Sequence, residues 1–455
     1  MTSKVAVIGM GYVGIPIAAL LADTGIFHVT GIQRRSKRSG WKIGYLNQGK
    51  CPIKNEPTLP EIIERVVTEK KTFTVTDDIT VVKEMDFVLI DVQTPTDENN
   101  VPQYLSLKEV SKAVGEHMTP RSTVIIESTS APGTTDYIVR PIIEEVSGLI
   151  AGKEFYLAYA YERVMVGRLI YNILNYPRIV GGINGESADK AAWLYKQVLK
   201  SQIIKTTALT AEFAKVVENT YRDVNVAFAN EVALISESLG IDVYEVRKLV
   251  NNLPFIEGQG NPHRNMHIPG AGVGGHCLPK DPWLLKYGLT EYGKIPVQLD
   301  VIEASRSRNK GMPGHVHDLL IECMRETKRA DPTGQKVAVL GVAFLENSDD
   351  PRNTPTRDFV KVLAAHKYPY AIHDPLVREE AVEFPISHDL EEVVRNSDAI
   401  VVLTAHQMYK DLDLSQIKTM MKQLPILIDG RTTFDPETVR SLGFVYRGLG
   451  RGQYR

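Results

Sequence analysis

Lys4-Val5-Ala6-Val7-Ile8-Gly9-Met10-Gly11-Tyr12-Val13-Gly14 decides the fold of the first part of the chain. The leading apolar run carries β-branched residues, which suit an extended, buried strand. Ile15 to Ala22, rich in alanine and leucine, then reads as helix. Strand, glycine turn and helix are the setting in which Gly-x-Gly-x-x-Gly binds a dinucleotide. Gly9 permits the tight turn, Gly11 lets backbone approach a pyrophosphate, and Gly14 lets the helix pack on the strand with its N-terminus facing the phosphates. Without that setting such glycines mark ordinary turns. Gly9, Gly11, Tyr12, Val13 and Gly14 are therefore the candidate cofactor turn. About 20 residues further on an acidic residue is expected at the end of the second strand. The chain has Gln33 there, then Arg34 and Arg35. Glutamine can bond a ribose hydroxyl but does not repel a 2′-phosphate, and arginine grips phosphate well. The expectation is NAD, with tolerance of NADP.

Outward from this stretch, His28 to Ile32, Phe87 to Val92 and Thr123 to Ile126 read as further buried strands alternating with helical patterns, the mark of a parallel sheet covered on both faces. Thr210 to Leu239 differs. It has no Gly or Pro, and Phe213, Val216, Val217, Val224, Phe228, Val232 and Ile235 recur at helical spacing. Thr210 is its candidate N-cap and Gly240 its stop. A helix of this length suits a spine. From Gln335 a second α/β pattern begins, with strands at Lys336 to Leu340, Tyr370 to His373, Ala399 to Leu403 and Ile426 to Ile428. The expected architecture is α/β: two Rossmann-like doubly wound parallel-sheet domains, 1–205 and 331–455, joined by a helical middle, 206–330, that contains the glycine-rich loop Gly270 to Gly275.

The 455 residues exceed one ordinary core. With 43% hydrophobic and 24% charged residues and a net charge of -2, the chain reads as an ordinary globular protein with no call for a polyanionic partner such as nucleic acid. Cys51, Cys277 and Cys323 are widely spaced and form no CxxC pair, which speaks against a disulfide framework or a metal site. A reducing, cytoplasmic setting is expected. Strand-like sequence from Lys4 leaves no room for a signal peptide, and no apolar run approaches the roughly 20 residues that span a bilayer.

Two constellations carry chemistry. Lys215 and Asn219 lie one helical turn apart on one face, where an ammonium and an amide can hold an oxyanion or orient a hydroxyl. A helical lysine is more often solvated surface. Cys277 follows the glycine loop in Gly274-Gly275-His276-Cys277-Leu278-Pro279-Lys280-Asp281. A lone cysteine is usually a small buried hydrophobe. Here the glycines let backbone approach a ligand, and Lys280 and His276 are at hand to lower the thiol pKa.

These stretches resemble the UDP-glucose/GDP-mannose dehydrogenase family over essentially the whole chain, and most of all its branch acting on UDP-N-acetylhexosamines, of the UDP-N-acetylmannosamine type. The matching segments are Gly9 to Gly14, Thr94-Pro95, Glu127-Ser128-Thr129, Pro132-Gly133-Thr134, Tyr161 to Val164, Pro177 to Gly182, Lys215 to Asn230, Gly274 to Cys277, Gly341 to Phe344, Asp349 to Arg352 and Asp429-Gly430-Arg431. The resemblance implies an NAD-dependent 6-dehydrogenase that oxidises a nucleotide-linked hexosamine twice, through a thioester on Cys277, for polysaccharide or glycan precursors. It implies a homodimer formed through the helical middle. Lys215 and Asn219 would hold the oxyanion, Asp281 would assist proton transfer, Glu162 would be the base for thioester hydrolysis, and Thr129 would position a water. Thr94, Thr129, Lys280 and Arg352 join Gln33 and Arg34 as implied cofactor contacts. Glu162, Arg163, Val164, Lys215, Asn219 and Arg222 are implied substrate contacts, as are Gly274, Gly275, Phe344 and Arg431.

Tyr161 replaces a family proline, Val166 a glutamate of one branch, Leu345 a lysine, and Gln33 an aspartate. None of these exchanges removes the nucleophile. The rivals are a one-step β-hydroxyacid or phosphogluconate-like dehydrogenase, which needs neither Cys277 nor residues 335–455, and a non-catalytic nucleotide-sugar binder. Two, one or no reduced cofactors per sugar separates the three.

Overall fold

A computed structural model describes residues 3–37, 39–54, 56–165, 167–252, 265–329 and 331–452. The chain divides into two compact units, Met1–Glu218 with Trp283–Val297, and Asn219–Pro282 with Gln298–Arg455.

The first unit is built on eight strands: β1 (Ser3–Ile8), β2 (Phe27–Ile32), β3 (Phe73–Thr76), β4 (Phe87–Ile90), β5 (Thr123–Ile126), β6 (Tyr156–Tyr159), β7 (Arg178–Gly182) and β8 (Ile203–Thr207). Their order is β3-β2-β1-β4-β5-β6-β7-β8. All pairings are parallel except β6 with β7. Parallel strands need both faces covered, and every residue of β4 and β5 is buried. Val5, Val7, Phe27, Leu89, Ile125 and Ala158 meet the buried face of the helix Gly14–Asp23 in one apolar core. Chain order reverses between β1 and β4, so the crevice beyond the carboxyl ends of β1 and β4 is where a doubly wound sheet takes its ligand.

The second unit holds β9 (Val337–Leu340), β10 (Tyr370–His373), β11 (Ala399–Val402), β12 (Ile426–Asp429) and β13 (Val445–Gly448), all parallel, in the order β10-β9-β11-β12-β13. Its switch point lies between β9 and β11.

The spine helix runs Ala208–Leu239. It starts two residues before the expected cap. The hydroxyl of Thr207, not Thr210, serves the first turn, accepting from the Thr210 N–H at 3.2 Å. Gly240 at φ 73° ends it as expected. A second long helix, Asp300–Glu326, is tied to the spine by a buried polar network. Asp223 pairs with Arg306 at 2.6 Å and accepts from Asn309, which in turn accepts from Asn230. The side-chain Oδ1 of Asn230 then accepts the Gly270 N–H at 2.9 Å, so the network reaches the start of the glycine loop. Buried bonds of this kind fix geometry because breaking one leaves a further polar group unpaired.

Among the described residues no helix is long and apolar enough to cross a membrane, and no group of three or more metal-type ligands is found.

Candidate active site

The glycine turn has the form the sequence predicts. Gly9 sits at φ 110°, and a Cβ there would strike the Asp91 carbonyl, while one at Gly14 would strike the Gly9 carbonyl. Only glycine fits at either place. At Gly11 a Cβ would meet nothing nearer than the Asp91 carboxyl at 4.0 Å, so the outer face of the turn is open. The helix behind it has no side-chain cap and no acid in its first turn. These features fit a diphosphate at a helix N-terminus.

Gln33 lies directly after β2. It accepts from the Met10 N–H at 3.2 Å and donates to Ser39 Oγ at 3.1 Å, which locks it against the turn. Arg34 is exposed, and Arg35 pairs with Asp77 at 2.6 Å. Thr94 and Thr129, just beyond β4 and β5, are joined by a short bond from the Thr94 hydroxyl to the Thr129 carbonyl.

Lys215 is not a surface lysine: it is 9% exposed. Its Nζ donates to the Glu162 carbonyl at 2.8 Å and stands 5.2 Å from the centre of the Tyr161 ring. Tyr161, the residue in place of the family proline, thus forms one wall of the lysine site. Its hydroxyl accepts from Arg163, which also pairs with Glu218 at 2.9 Å. Val164 packs on the apolar core. The Glu162 carboxylate turns the other way, into an ion pair with Arg178.

Arg178 is a residue to which the sequence alone attached no role. It is buried in β7, its two terminal nitrogens go to Glu162 and Glu127, and its Cζ lies 4.1 Å from the centre of the Tyr195 ring. Glu212, also unassigned, is buried on the spine helix and accepts from the Gly133 and Thr135 N–H groups, fixing the Pro132-Gly133-Thr134 turn. Burial outweighs these donors and pushes its pKa up to about 7. A charged residue in the apolar run Arg178-Ile179-Val180 was the visible signal for the first, and a glutamate on a buried helix face for the second.

In the second unit, Cys277 is exposed. Its carbonyl accepts from the N–H groups of Lys280 and Asp281 at 3.0 and 2.8 Å, which places it one turn ahead of the helix Asp281–Tyr292. Lys280 in the same turn is buried. His276 does not help as expected. Burial, with Lys280 and Arg352 nearby, depresses its pKa to about 4, so it is neutral at pH 7. Asp281 is fully buried, accepts from Asn219 Nδ2 at 2.5 Å, and has Lys280 Nζ 3.6 Å from its other oxygen.

The loop glycines serve packing within the protein. A Cβ at Gly274 would meet Phe344 Cβ at 2.6 Å, and one at Gly275 would meet the Phe344 ring at 2.9 Å. Gly275 donates to the Arg352 carbonyl at 2.8 Å and accepts from Asn353 at 2.9 Å. Arg431 donates to the carbonyls of Leu403 and Gly272 at 2.9 and 3.1 Å. The cysteine loop is therefore pinned to the carboxyl edge of the second sheet, where a ligand of that sheet is expected. Arg352 pairs with Asp350, Arg222 and Leu345 are exposed, and Val166 lies outside the described residues.

The first unit carries a dinucleotide-type glycine turn, and the second carries an exposed cysteine one turn ahead of a helix. Comparison with known proteins shows the family. Models of the UDP-glucose/GDP-mannose dehydrogenase family match in three parts: the NAD binding domain at residues 3–199, the central domain at 209–311 and the UDP binding domain at 338–436. The UDP-N-acetyl-D-mannosamine dehydrogenase of Pyrococcus horikoshii is 37% identical over 99% of both chains. The UDP-N-acetyl-D-glucosamine 6-dehydrogenase of Salmonella typhi is 32% identical over 94% of this chain and 95% of its own. The crystal structure of an NDP-N-acetyl-D-galactosaminuronic acid dehydrogenase from Methanosarcina mazei Go1 superposes with a TM-score of 0.90 at 42% identity, covering 99% of this chain and 95% of that one. The chain belongs to the UDP-glucose/GDP-mannose dehydrogenase family and is an NAD-dependent nucleotide-sugar 6-dehydrogenase.

Proposed function

We propose that the chain oxidises C6 of a UDP-N-acetylhexosamine, UDP-N-acetylmannosamine before its galactosamine or glucosamine counterparts, to the uronic acid through a thioester on Cys277. The observation that carries the reading is the exposed thiol one turn ahead of a helix, with Lys280 in that turn and the loop pinned to the second sheet's ligand edge. A nicotinamide cofactor held at the Gly9 to Gly14 turn would supply the hydride acceptor for both oxidations of C6. Lys215 and Asn219 hold the C6 oxygen as its charge develops. Cys277 Sγ adds to the aldehyde, and the resulting thiohemiacetal loses hydride to become a thioester. Asp281, bonded to Asn219, passes the alcohol proton on. Glu162, paired with Arg178, accepts a proton from the water that Thr129 positions, and hydrolysis releases the carboxylate and the thiol. Phe344 and Arg431 border the nucleotide-sugar site.

The three-way division at 205 and 330 describes this division of labour. A homodimer is proposed from the apolar stripe that Phe213, Tyr221, Phe228, Ile235 and Leu239 expose along the spine helix. A cytoplasmic setting in the synthesis of surface glycans is proposed from the same resemblance.

Two NADH per sugar consumed, with mass spectrometry showing the uronic acid across a panel of UDP-N-acetylhexosamines, is the expected result. One NADH and an aldehyde product would overturn the covalent scheme.

The Gln33 site predicts weak discrimination between cofactors. Gln33→Asp keeps an acceptor for the Met10 N–H, gives up the donor to Ser39 Oγ, and adds a negative charge directly after β2, where the ribose of a dinucleotide is expected. It is expected to raise KM for NADP by at least about tenfold, the scale of one unpaired charge contact, with KM for NAD little changed. Steady-state kinetics with both cofactors checks this. Exclusion of NADP by several orders of magnitude in the unmodified protein would remove the proposal.

A further inference from the structure

Tyr161 follows β6 at the carboxyl edge of the first sheet, and the chain is tied down on both sides of it. The Ala160 N–H goes to the Ile126 carbonyl at 2.9 Å, and the Ala160 carbonyl accepts from Arg178 at 2.9 Å. On the other side the Glu162 carboxylate is paired with Arg178. The Tyr161 ring is 2% exposed and lies 6.2 Å from that of Tyr159. It is a fixed wall.

Lys215 stands against that wall. An ammonium taken out of water normally needs a carboxylate. Among the described residues none pairs with Lys215. Its contacts are the Glu162 carbonyl at 2.8 Å and the Tyr161 ring, whose centre is 5.2 Å away. Both are neutral. The obvious partner is Glu218, one turn on along the same face of the spine helix, a spacing at which lysine and glutamate pair. Here Glu218 is engaged elsewhere. Arg163 Nε holds it at 2.9 Å, and the Tyr161 hydroxyl, which accepts from Arg163 at 3.1 Å, donates to it at 3.4 Å. The Arg163 guanidinium carbon also lies 5.3 Å from the ring centre, but its charge is met by Glu218. Lys215 is left as a buried cation held by one dipole and one π face.

We propose that Tyr161 is a positioning residue for the oxidation: its ring face, in place of a carboxylate, holds the Lys215 ammonium, so that the full charge of the lysine acts on the C6 oxygen. The inference rests on the oxyanion role given to Lys215 above. A carboxylate would hold the lysine as well, but it would cancel much of the field that stabilises the developing negative charge. A ring face attracts the cation without adding a net charge.

Tyr161→Phe, and the same position filled by phenylalanine carrying one, two or three ring fluorines, test this. Fluorine draws electron density from the ring face and nearly preserves its shape. Stopped flow reads the rate of first NADH formation in a single turnover at saturating UDP-sugar. Taking the phenylalanine form as reference, the logarithm of the rate should fall with each fluorine. The fall should reach at least about tenfold over the series, the scale of a desolvated cation–π contact, with KM for UDP-sugar constant within about twofold. A residue that only packs gives a flat series, which would overturn the assignment, as would a loss carried by KM. Lys215→Ala measured alongside separates the two readings. A flat series beside a lysine variant that has lost its rate overturns the role of Tyr161 alone, and a lysine variant with unaltered rate overturns both.

Discussion

Cys277→Ser is expected to abolish uronic acid formation while NADH and UDP-sugar still bind. Serine keeps the shape and the small volume, and the carbonyl bonds from Lys280 and Asp281 that hold the turn are backbone bonds, untouched by the exchange. What is lost is the thiolate. A thiol ionises within reach of neutral pH, whereas an alcohol does not. The expected loss in acid production is at least about a thousandfold, the scale of removing an activated nucleophile. Single-turnover mixing with the aldehyde-level substrate separates this from a binding defect. Near-normal turnover in the serine variant would end the thioester scheme.

Lys215→Ala is expected to lower kcat by at least about a hundredfold, the cost of one oxyanion donor. Its burial makes the loss specific. In place of a mobile surface ammonium there is one held by the Glu162 carbonyl and the Tyr161 ring. The alanine variant also leaves that carbonyl without its donor, which costs about 1–3 kcal/mol in stability. Thermal melting therefore accompanies the kinetics, and the diagnostic result is a fall in kcat in a protein that remains folded at the assay temperature. A rise in KM alone would make Lys215 a binding residue.

Much of the scaffold was legible because its signals are local. The strand at Val5 to Ile8, the glycine turn and the apolar strands of the second sheet follow from side-chain shape and backbone freedom over a few residues. β6, β7 and β8 were not legible. The antiparallel pairing of β6 with β7 depends on partners more than twenty residues apart. At the site, Lys215, Asn219 and Cys277 stood out by spacing and neighbours. Their settings did not: that Lys215 is buried, that His276 is neutral, and that Glu162 faces Arg178 all depend on contacts distant in sequence.

The phenyl ring of residue 344 fills the space above two glycines, and Gly275 holds a φ of 86° that a larger residue adopts only under strain. Loop and ring are thus two halves of one mould. Any library that reshapes substrate preference by enlarging position 274 or 275 alone casts against an unchanged counterpart and loses the cysteine's placement. Productive variants come from varying 344 together with the loop, so the accessible route through sequence space at this site runs in coupled steps.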